Sequence, residues 1–378
     1  MSPAWDKARN ILCVRLDSLG DALMCTPALR ALRAGRPGRR LTLLTSPGAA
    51  LAGPFIPELD DVIPYEAPWM KSSASHAPAA DLACAAQLAT RDFDAAVIFT
   101  TYSQSPLPAA LLCYLTGIRL RLAHCRENPY QLLTDWLPES EPQQQIRHEV
   151  QRQLDLVASV GSATTDARLS FALREPDLDA VRRQLRAAGI DPAARWLLLH
   201  PGASAASRRY PQHRWAELIR QLAARPGLPV VLTGGVAETA LIDAIRAACA
   251  LPVVSLAGQL SLGQLAAALR LAAVVVCNNT GPAHMAAAVG TPVAVLYALT
   301  NPQHTPWQVR ARLLYHDVPC RFCHKSVCPQ GHHDCLDKVD PARVVDAVCS
   351  LLQEDGSGQQ GDLTAGVLLA GGIHRVGP

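Results

Sequence analysis

The apolar residues of this chain fall into short continuous runs that alternate with longer amphipathic segments. Continuous runs of Val, Leu and Ile are typical of buried strands, and apolar residues recurring every three or four positions are typical of helices. In the first half the predicted strands are Ile11–Leu16, Leu41–Thr45, Ala95–Thr100 and Leu120–Ala123, and the predicted helices are Ala22–Ala34, Pro108–Thr116 and Gln144–Val160. In the second half the predicted strands are Trp196–His200, Pro229–Thr233, Val253–Leu256, Ala273–Cys277 and Val293–Tyr297, and the helices between them include Gln212–Ala224, Ala237–Ala248, Leu262–Leu271 and Ala283–Val289.

Strands without polar alternation, separated by helices, predict parallel sheets that are covered on both faces. The two blocks are of similar length, and the pattern breaks near residues 162–176. We therefore expect an α/β protein with two Rossmann-like domains that face an interdomain cleft, residues 1–165 and 166–354. The Gly-rich, polar tail, residues 355–378, is expected to be disordered.

Composition narrows the class of protein. Of 378 residues 49% are hydrophobic and 18% charged, and the net charge is +3. No dense Lys/Arg run interleaved with aromatic residues occurs, which argues against nucleic acid as a partner. We expect a soluble cytoplasmic protein, because the chain shows no secretory signal and no uninterrupted apolar run of about 18 residues. Most of the 12 cysteines lie inside predicted elements, as buried free thiols in a reducing compartment would.

A strand, a tight loop and a helix N-terminus follow one another after Ala273–Cys277. Pro282 stands where the first helical turn begins, a position that needs no N–H. Unpaired backbone N–H groups and the helix dipole make such a terminus suitable for a phosphate. The candidate ligands are Asn279, Thr280 and Gly281, with His284 one turn into the helix. A lone histidine at such a place is more often structural than catalytic.

A similar junction follows the first strand, where Gly20 permits a sharp turn and Asp21 opens the helix. Ligands of open α/β sheets bind at this carboxyl edge. Asp21 can be a helix cap, a general base, or both, since a carboxylate at a helix N-terminus stays ionised.

Two more strand ends in the second half carry small or charged residues. After the strand ending at His200, small residues would let a phosphate approach the backbone, and Arg208 could clamp its oxygens, although arginines beside a turn are also often just solvated. A glycine loop with Glu238 follows the next strand and is a weaker signal. The candidate ligand-binding residues here are His200, Gly202, Ser204, Arg208, Thr233, Gly234 and Glu238.

Four cysteines, Cys320, Cys323, Cys328 and Cys335, lie close together near the C-terminus. Their spacing could hold a structural Zn²⁺ between four thiolates. An iron–sulfur cluster has the same ligands with less familiar spacing. The third interpretation is a loop that binds no metal and contains free thiols or a single disulfide.

Read together and in order, these segments resemble the heptosyltransferase family (glycosyltransferase family 9), whose enzymes build the inner core of lipopolysaccharide. The resemblance rests on Arg-x-x-x-x-Gly-Asp at Arg15–Asp21, Thr-Pro-Ala-Leu at Thr26–Leu29, His-Pro-Gly-Ala at His200–Ala203, and Thr-Gly-Pro-x-His-x-Ala-Ala-Ala at Thr280–Ala288. It implies the two-domain GT-B fold, inversion at the anomeric carbon and no catalytic metal. It also implies ADP-heptose as donor on the second domain, and a lipid-linked saccharide acceptor on the first, at the cytoplasmic face of the inner membrane.

The same resemblance assigns roles by position. Asp21 would be the general base, Arg208 would contact phosphate, and Thr280 and Gly281 would hold the diphosphate. Asn279 stands where the family usually has Asp, which leaves open a different donor sugar, or a protein that binds nucleotide sugars without turnover. A nucleotide-sugar epimerase shares the architecture but would be expected to lack the Gly20-Asp21 motif. Five arginines could meet anionic headgroups or acceptor phosphates, or form a solvated face: Arg30, Arg33, Arg36, Arg39 and Arg40.

Overall fold

The computed structural model describes residues 3–71 and 76–354, in two compact units that divide between Ser170 and Phe171. The predicted boundary, between residues 165 and 166, lies slightly earlier. The predicted tail, residues 355–378, lies outside the described residues.

The first unit is built around a parallel sheet of six strands in the order β3-β2-β1-β4-β5-β6. Its strands are β1 Asn10–Arg15, β2 Arg40–Thr45, β3 Asp61–Pro64, β4 Ala95–Ile98, β5 Leu120–Cys125 and β6 Asp135–Pro138. Its helices are α1 Pro3–Lys7, α2 Leu19–Met24, α3 Thr26–Ala34, α4 Pro47–Ala50, α5 Pro78–Ala89, α6 Leu107–Leu115 and α7 Glu149–Ala158.

The second unit repeats this architecture, with the order β12-β11-β10-β7-β8-β9 and parallel pairing throughout. Its strands are β7 Leu197–His200, β8 Val230–Leu232, β9 Val254–Ser255, β10 Val274–Asn278, β11 Val293–Leu296 and β12 Ala311–Leu314. Its helices are α8 Glu175–Ala187, α9 Gln212–Ala224, α10 Thr239–Cys249, α11 Leu262–Leu271, α12 Gly281–Val289, α13 Asp334–Asp337 and α14 Pro341–Glu354. The predicted α/β class with two parallel-sheet domains is confirmed.

The central strands of both sheets are almost entirely apolar and buried, which is why the sequence reads as continuous runs. Residues 11–15 of β1 and all of β7 and β10 are buried. The helices cover both faces: α9, α10 and α14 pack together in the second unit, and α3 packs on α7 in the first. Burial on both faces is the condition under which parallel sheets are stable.

The predicted helix Ala22–Ala34 is wrong in one respect, because the chain forms α2 and α3 with a break at Cys25. Pro27 causes the break, since it has no N–H to donate to the carbonyl of Leu23. The Thr26 hydroxyl donates to that carbonyl instead, over 2.7 Å. The predicted helix Gln144–Val160 is also too long: α7 begins at Glu149, with the His148 imidazole accepting the N–H of Val150.

Candidate functional site

The strand orders place one topological switch point in each unit, and ligands of doubly wound sheets bind there. In the first unit it lies between β1 and β4, and in the second between β7 and β10. Asp21 follows β1, whereas Arg208, Thr280 and Gly281 follow β7 and β10. Each set therefore occupies the carboxyl edge at the switch point of its own unit.

Asp21 is the third residue of α2 and closes the first turn of that helix. Its Oδ2 accepts the backbone N–H of Ser18 over 3.1 Å and the Ser18 hydroxyl over 2.6 Å. Its Oδ1 accepts a hydrogen bond from Nη2 of Arg15 over 3.1 Å. Asp21 thus caps the helix through Ser18. Its carboxylate also accepts a hydrogen bond from the buried guanidinium of Arg15, a contact that capping alone does not require.

The Arg15 guanidinium is completely buried and lies among three carboxylates. Its Nη1 donates to Oε1 of Glu149 over 2.7 Å, and its Nε lies 2.9 Å from Oδ2 of Asp17. Burial lowers the pKa of Arg15, but Asp17, Glu149 and Asp21 outweigh it and raise that pKa. Burial, with help from Asp21 and Glu149, raises the pKa of Asp17 to about 6 despite the opposing Arg15.

A cavity of about 420 Å³ opens beside Asp17 at this edge of the sheet. The loop after β4 forms one wall with Ser103, Gln104 and Ser105, and Gln104 Nε2 donates to Oδ1 of Asp17 over 2.6 Å. A smaller cavity of about 240 Å³ lies across the same loop, next to Arg126. A larger one, about 590 Å³, lies at the amino ends of β1, β4 and β5, the edge where ligands of such sheets do not usually bind.

The five arginines considered for membrane contact are largely engaged inside the first unit. Arg33 pairs with Asp60, Arg36 donates to the carbonyl of Asp6, and Arg30 donates to Ser170 and to two carbonyls. Arg39 is buried and donates to three backbone carbonyls. Arg39 is therefore no part of a surface face, whereas Arg30, Arg33 and Arg36 stay partly exposed, and contact of these arginines with headgroups stays a prediction.

In the second unit, Arg208 reaches across the loop to the start of α12. Its Nη1 lies 3.4 Å from the carbonyl oxygen of Asn279, and its Nη2 donates to Oδ1 of Asn301 over 3.2 Å. Thr280 is the N-cap of α12 and Gly281 its first residue. A guanidinium beside the N-terminus of a nine-residue helix, where the helix dipole places partial positive charge, gives a cationic surface for an anion.

A second group forms at the ends of β7 and β8. Nδ1 of His200 lies 3.0 Å from the Thr233 hydroxyl, and its Nε2 lies 3.6 Å from Oε2 of Glu238. Burial lowers the pKa of His200 more than Glu238 raises it, so the imidazole is neutral at pH 7. Glu238 Oε2 also accepts the N–H of Gly235 over 2.8 Å.

Two glycines make room for the Glu238 carboxylate. A β-carbon at Gly202 would lie 1.8 Å from its Oε1, and one at Gly234 would lie 3.1 Å from its Oε2 and 2.5 Å from Cδ1 of Ile242. Real β-carbons do not approach that closely, so the glycines predicted from the sequence are needed for packing around this carboxylate.

Sequence reasoning missed Asn278, the last residue of β10. Its Nδ2 donates to the carbonyls of Pro201 and Gly202, over 2.7 and 3.3 Å, and its Oδ1 accepts the N–H of Tyr210. This buried amide ties the loop after β7 to the strand next to it. A fully polar residue at the end of an apolar strand was the available signal.

Three other residues predicted to bind the donor, Asn279, His284 and Ser204, differ in burial and in their contacts. Oδ1 of Asn279 accepts the N–H of Ala298 over 3.2 Å, so this amide oxygen is engaged within the unit. His284 is buried, whereas Ser204 is exposed. The amide oxygen of Asn279 thus holds the loop, and Ser204 stands apart from the contacts of His200 and Glu238.

The cysteine-rich loop adjoins the Arg208 region. The N–H of His324 donates to the carbonyl of Thr300, and Nδ1 of His324 lies 3.0 Å from Nδ2 of Asn301, the residue that Arg208 contacts. Ser207 donates to the carbonyls of Lys325 and Ser326. Asn301 and His324, which sequence reasoning did not select, therefore join this loop to the predicted anion-binding surface.

The predicted zinc site at Cys320, Cys323, Cys328 and Cys335 is not supported. Within residues 3–71 and 76–354, no three His, Cys, Asp or Glu side chains are grouped so as to hold a metal ion. All four cysteines are free and partly exposed, and Cys320 Sγ lies 3.6 Å from Nε2 of His332. Backbone hydrogen bonds to Ser207 and Thr300 hold the loop to the rest of the unit.

Comparison with known proteins gives a consistent assignment. The model of glycosyltransferase family 9 (heptosyltransferase) matches residues 82–333. Lipopolysaccharide heptosyltransferase 2 of Salmonella typhimurium is 32% identical over 167 residues, 41% of this chain and 46% of that protein. Lipopolysaccharide heptosyltransferase 1 of Pseudomonas aeruginosa is 27% identical over 323 residues, 84% of this chain and 87% of that protein. The match to the Salmonella protein thus spans about half of that relative's length.

Among solved structures, the Escherichia coli ADP-heptose lipopolysaccharide heptosyltransferase II is similar, with a TM-score of 0.72 and 22% identity. The alignment covers 92% of this chain and 100% of that one. A likeness at this level of identity concerns the fold, and it agrees with the two parallel-sheet units described above.

Proposed function

The chain belongs to glycosyltransferase family 9, the heptosyltransferase family, and from that premise we propose that it transfers heptose from ADP-heptose to a sugar of a lipopolysaccharide core or a related glycolipid. The single observation that carries the proposal is that each unit presents the polar groups its half of the reaction needs at its switch point. These are the Asp21 carboxylate, held by Ser18 and Arg15, in the first unit, and Arg208 beside the N-terminus of α12 in the second.

The donor binds the second unit in this proposal. Its diphosphate lies at Arg208 and the N-terminus of α12, where the positive end of the helix dipole and a guanidinium balance its charge. Glu238, beside the neighbouring β8, accepts hydrogen bonds from the ribose hydroxyls, as acidic residues do in other doubly wound folds. His200 and Thr233 support that carboxylate.

Asp21 is the general base of the proposed reaction. It takes the proton of the acceptor hydroxyl while the oxygen forms a bond to the anomeric carbon and the bond from that carbon to the diphosphate breaks. Attack from the face opposite the leaving group inverts the configuration. General-base assistance contributes about 10²–10⁴ in rate. Arg208 and the positive end of the α12 dipole stabilise the charge that develops on the departing ADP, and no metal ion takes part in this step.

The acceptor sugar is proposed to occupy the cavity beside Asp17, which adjoins Asp21 through their shared Arg15. Ser103, Gln104 and Ser105 offer hydroxyl and amide groups suited to sugar hydroxyls. The lipid part of such an acceptor would bring the protein to the cytoplasmic face of the inner membrane as a peripheral enzyme. No helix among the described residues has the length and apolar character needed to cross a membrane.

Asn279 bears on the identity of the donor sugar. Because its Oδ1 already accepts the N–H of Ala298, we propose that the change from the family's usual Asp affects packing of the loop more than recognition of the sugar. ADP-heptose then remains the donor. A transferase for another nucleotide sugar is the alternative.

The experiment is an assay of purified protein with ADP-heptose and a heptose-deficient lipopolysaccharide, with ADP release and the acceptor mass measured together. The proposal expects ADP release that depends on the acceptor, and a gain of one heptose in its mass. Parallel reactions with UDP- and GDP-linked sugars test the alternative donor. Tight binding of ADP-heptose with neither release nor mass gain would identify a binding protein that has lost turnover.

A further inference from the structure

Asp21 is held by a guanidinium that is also held by a carboxylate far away in the chain. Arg15 reaches Asp21 over 3.1 Å and Glu149 over 2.7 Å. The side chains of Arg15 and Glu149 are completely buried, whereas those of Asp17 and Asp21 are 15% exposed. Glu149 thus lies behind the cluster, and the two aspartates lie at its open side.

The position of Glu149 is fixed by its own helix. Gln153, one turn later on α7, donates to the same Oε1 of Glu149 over 2.6 Å and to the carbonyl of Thr100 over 3.0 Å. Thr100 follows β4, next to β1 in the sheet. The carboxylate of Glu149 therefore has donors on two sides, and it presents a fixed negative charge to Arg15.

That charge has a chemical consequence for Asp21. A guanidinium beside a carboxylate favours its ionised form and so weakens it as a base. A second buried carboxylate on the same guanidinium offsets this effect, since the positive charge is then divided between them. A general base needs enough proton affinity to accept the proton of a hydroxyl.

We propose that Glu149 is a positioning residue of the transfer reaction, which acts through Arg15 to hold Asp21 in place and to keep it basic. This inference rests on the proposed function, in which Asp21 is the base. Glu149 itself touches neither substrate in this account. Its negative charge offsets part of the positive charge of Arg15, which would otherwise lower the proton affinity of Asp21.

Of the other groups around Asp21 and Glu149, Cys25 and Tyr102 keep one charge state near neutral pH, whereas Asp17 titrates just below it. Burial raises the pKa of the Cys25 thiol far above its usual range and that of Tyr102 to about 12, so both stay neutral. Asp17 has its pKa near 6, with burial the main cause, and is mostly ionised above pH 7. Changes at Glu149 are therefore felt mainly through Arg15 by the two aspartates.

The test compares Glu149→Gln with Asp155→Asn, a matched removal of one negative charge from the same helix at a residue that pairs with Arg147. Glu149→Gln keeps an acceptor for Arg15 but removes the charge. We expect the acid limb of kcat/KM to move about 0.5–1 unit to lower pH, kcat at the plateau to fall about threefold to tenfold, and the KM for donor to stay unchanged. Asp155→Asn should give the parent profile.

A second variant, Gln153→Met, should move the acid limb of kcat/KM in the opposite direction, to higher pH. Gln153→Met removes one donor from Glu149, which then draws more of the Arg15 charge away from Asp21, and the acid limb should move to higher pH. This variant also keeps the test available if Glu149→Gln does not fold, as a thermal melt would show. Profiles of Glu149→Gln and Gln153→Met that both match the parent, or limbs that move in the reverse directions, would overturn the inference.

The variant Asp21→Asn distinguishes failure of the proposed function from failure of the positioning role of Glu149. If Asp21→Asn retained full transfer activity, Asp21 would not be the base, and the proposed mechanism itself would be wrong. If Asp21→Asn abolished transfer while the Glu149 and Gln153 variants kept the parent profile, only the positioning role would be lost.

Discussion

Gly202 and Glu238 occupy adjoining space at the carboxyl ends of β7 and β8: a β-carbon at position 202 would lie 1.8 Å from Oε1 of Glu238. The two residues belong to loops that the sequence alone does not connect. Because Glu238 is also held by the N–H of Gly235, a side chain at position 202 has to displace either the loop after β7 or the carboxylate.

Gly202→Ala should therefore weaken donor binding, with the Kd for ADP rising about tenfold or more, since a misplaced carboxylate no longer meets the ribose. Gly235→Ala is the matched control, because the nearest atom to its added β-carbon is 3.8 Å away. Isothermal titration with ADP compares the two. Equal affinities for both variants would show that Glu238 does not contact the nucleotide.

Arg208→Gln should lower kcat about 10²–10³-fold and raise the KM for donor, because the charge that meets the departing diphosphate is removed. Arg209→Gln removes the same charge one residue later. The Arg209 side chain is exposed and its Nε donates to the carbonyl of Ala203, so this variant should stay within about twofold of the parent. Steady-state kinetics with ADP-heptose separates them, and similar losses in both would point to a diffuse electrostatic effect.

Asn278→Ala should lower the free energy of unfolding by about 2–3 kcal/mol, since two carbonyls and one N–H lose their buried partner. Urea unfolding followed by circular dichroism measures it. Asn128→Ala, at an exposed amide that accepts only the N–H of Tyr130 among the hydrogen bonds found for it, should cost less than about 1 kcal/mol. A loss of the same size in both would mean that Asn278 does not hold the loop.

Asp17 predicts a pH dependence of stability with a definite sign. Its pKa is about 6 in the folded protein, raised mainly by burial, and about 3.9 in the unfolded chain. The folded state therefore binds more protons between these values, and stability falls as pH rises from about 4 to about 6, by about 1–3 kcal/mol. Asp17→Asn should flatten the curve of unfolding free energy over that range. The exposed Asp92→Asn should leave the curve as it is, and an unchanged slope in Asp17→Asn would contradict the assignment.

Much of the fold was predictable from sequence because the central strands are buried on both faces. The runs around Ile11, Leu198 and Val275 can be read without any tertiary information. The short edge strands β3 and β6 could not, since Asp61–Pro64 and Asp135–Pro138 contain proline and charged residues that do not resemble buried strands. The break between α2 and α3 was missed although the sequence indicates it, because Pro27 is the sixth residue of the predicted helix Ala22–Ala34 and proline is tolerated only in a first helical turn.

The candidate site was predictable only where the residues are close in sequence. Asp21, Arg208 and Thr280 stand beside strand ends and can be selected from that position. Glu149 lies 134 residues from Arg15, and Asn301 lies 93 residues from Arg208. Such pairs are set by the packing of whole elements, and no local pattern in one sequence indicates them.

The central claim is that Asp21 accepts the proton of the acceptor hydroxyl. The most direct measurement is the turnover of Asp21→Asn with ADP-heptose and a heptose-deficient acceptor, beside the affinity of the same protein for ADP. Asparagine keeps the size of the side chain, but its single amide oxygen can accept from Ser18 or from Arg15 and not, as the two carboxylate oxygens do, from both. We predict a loss of at least about a hundredfold in kcat, with the Kd for ADP within about twofold of the parent. Turnover within about threefold of the parent enzyme would contradict the account and leave Asp21 as a helix cap.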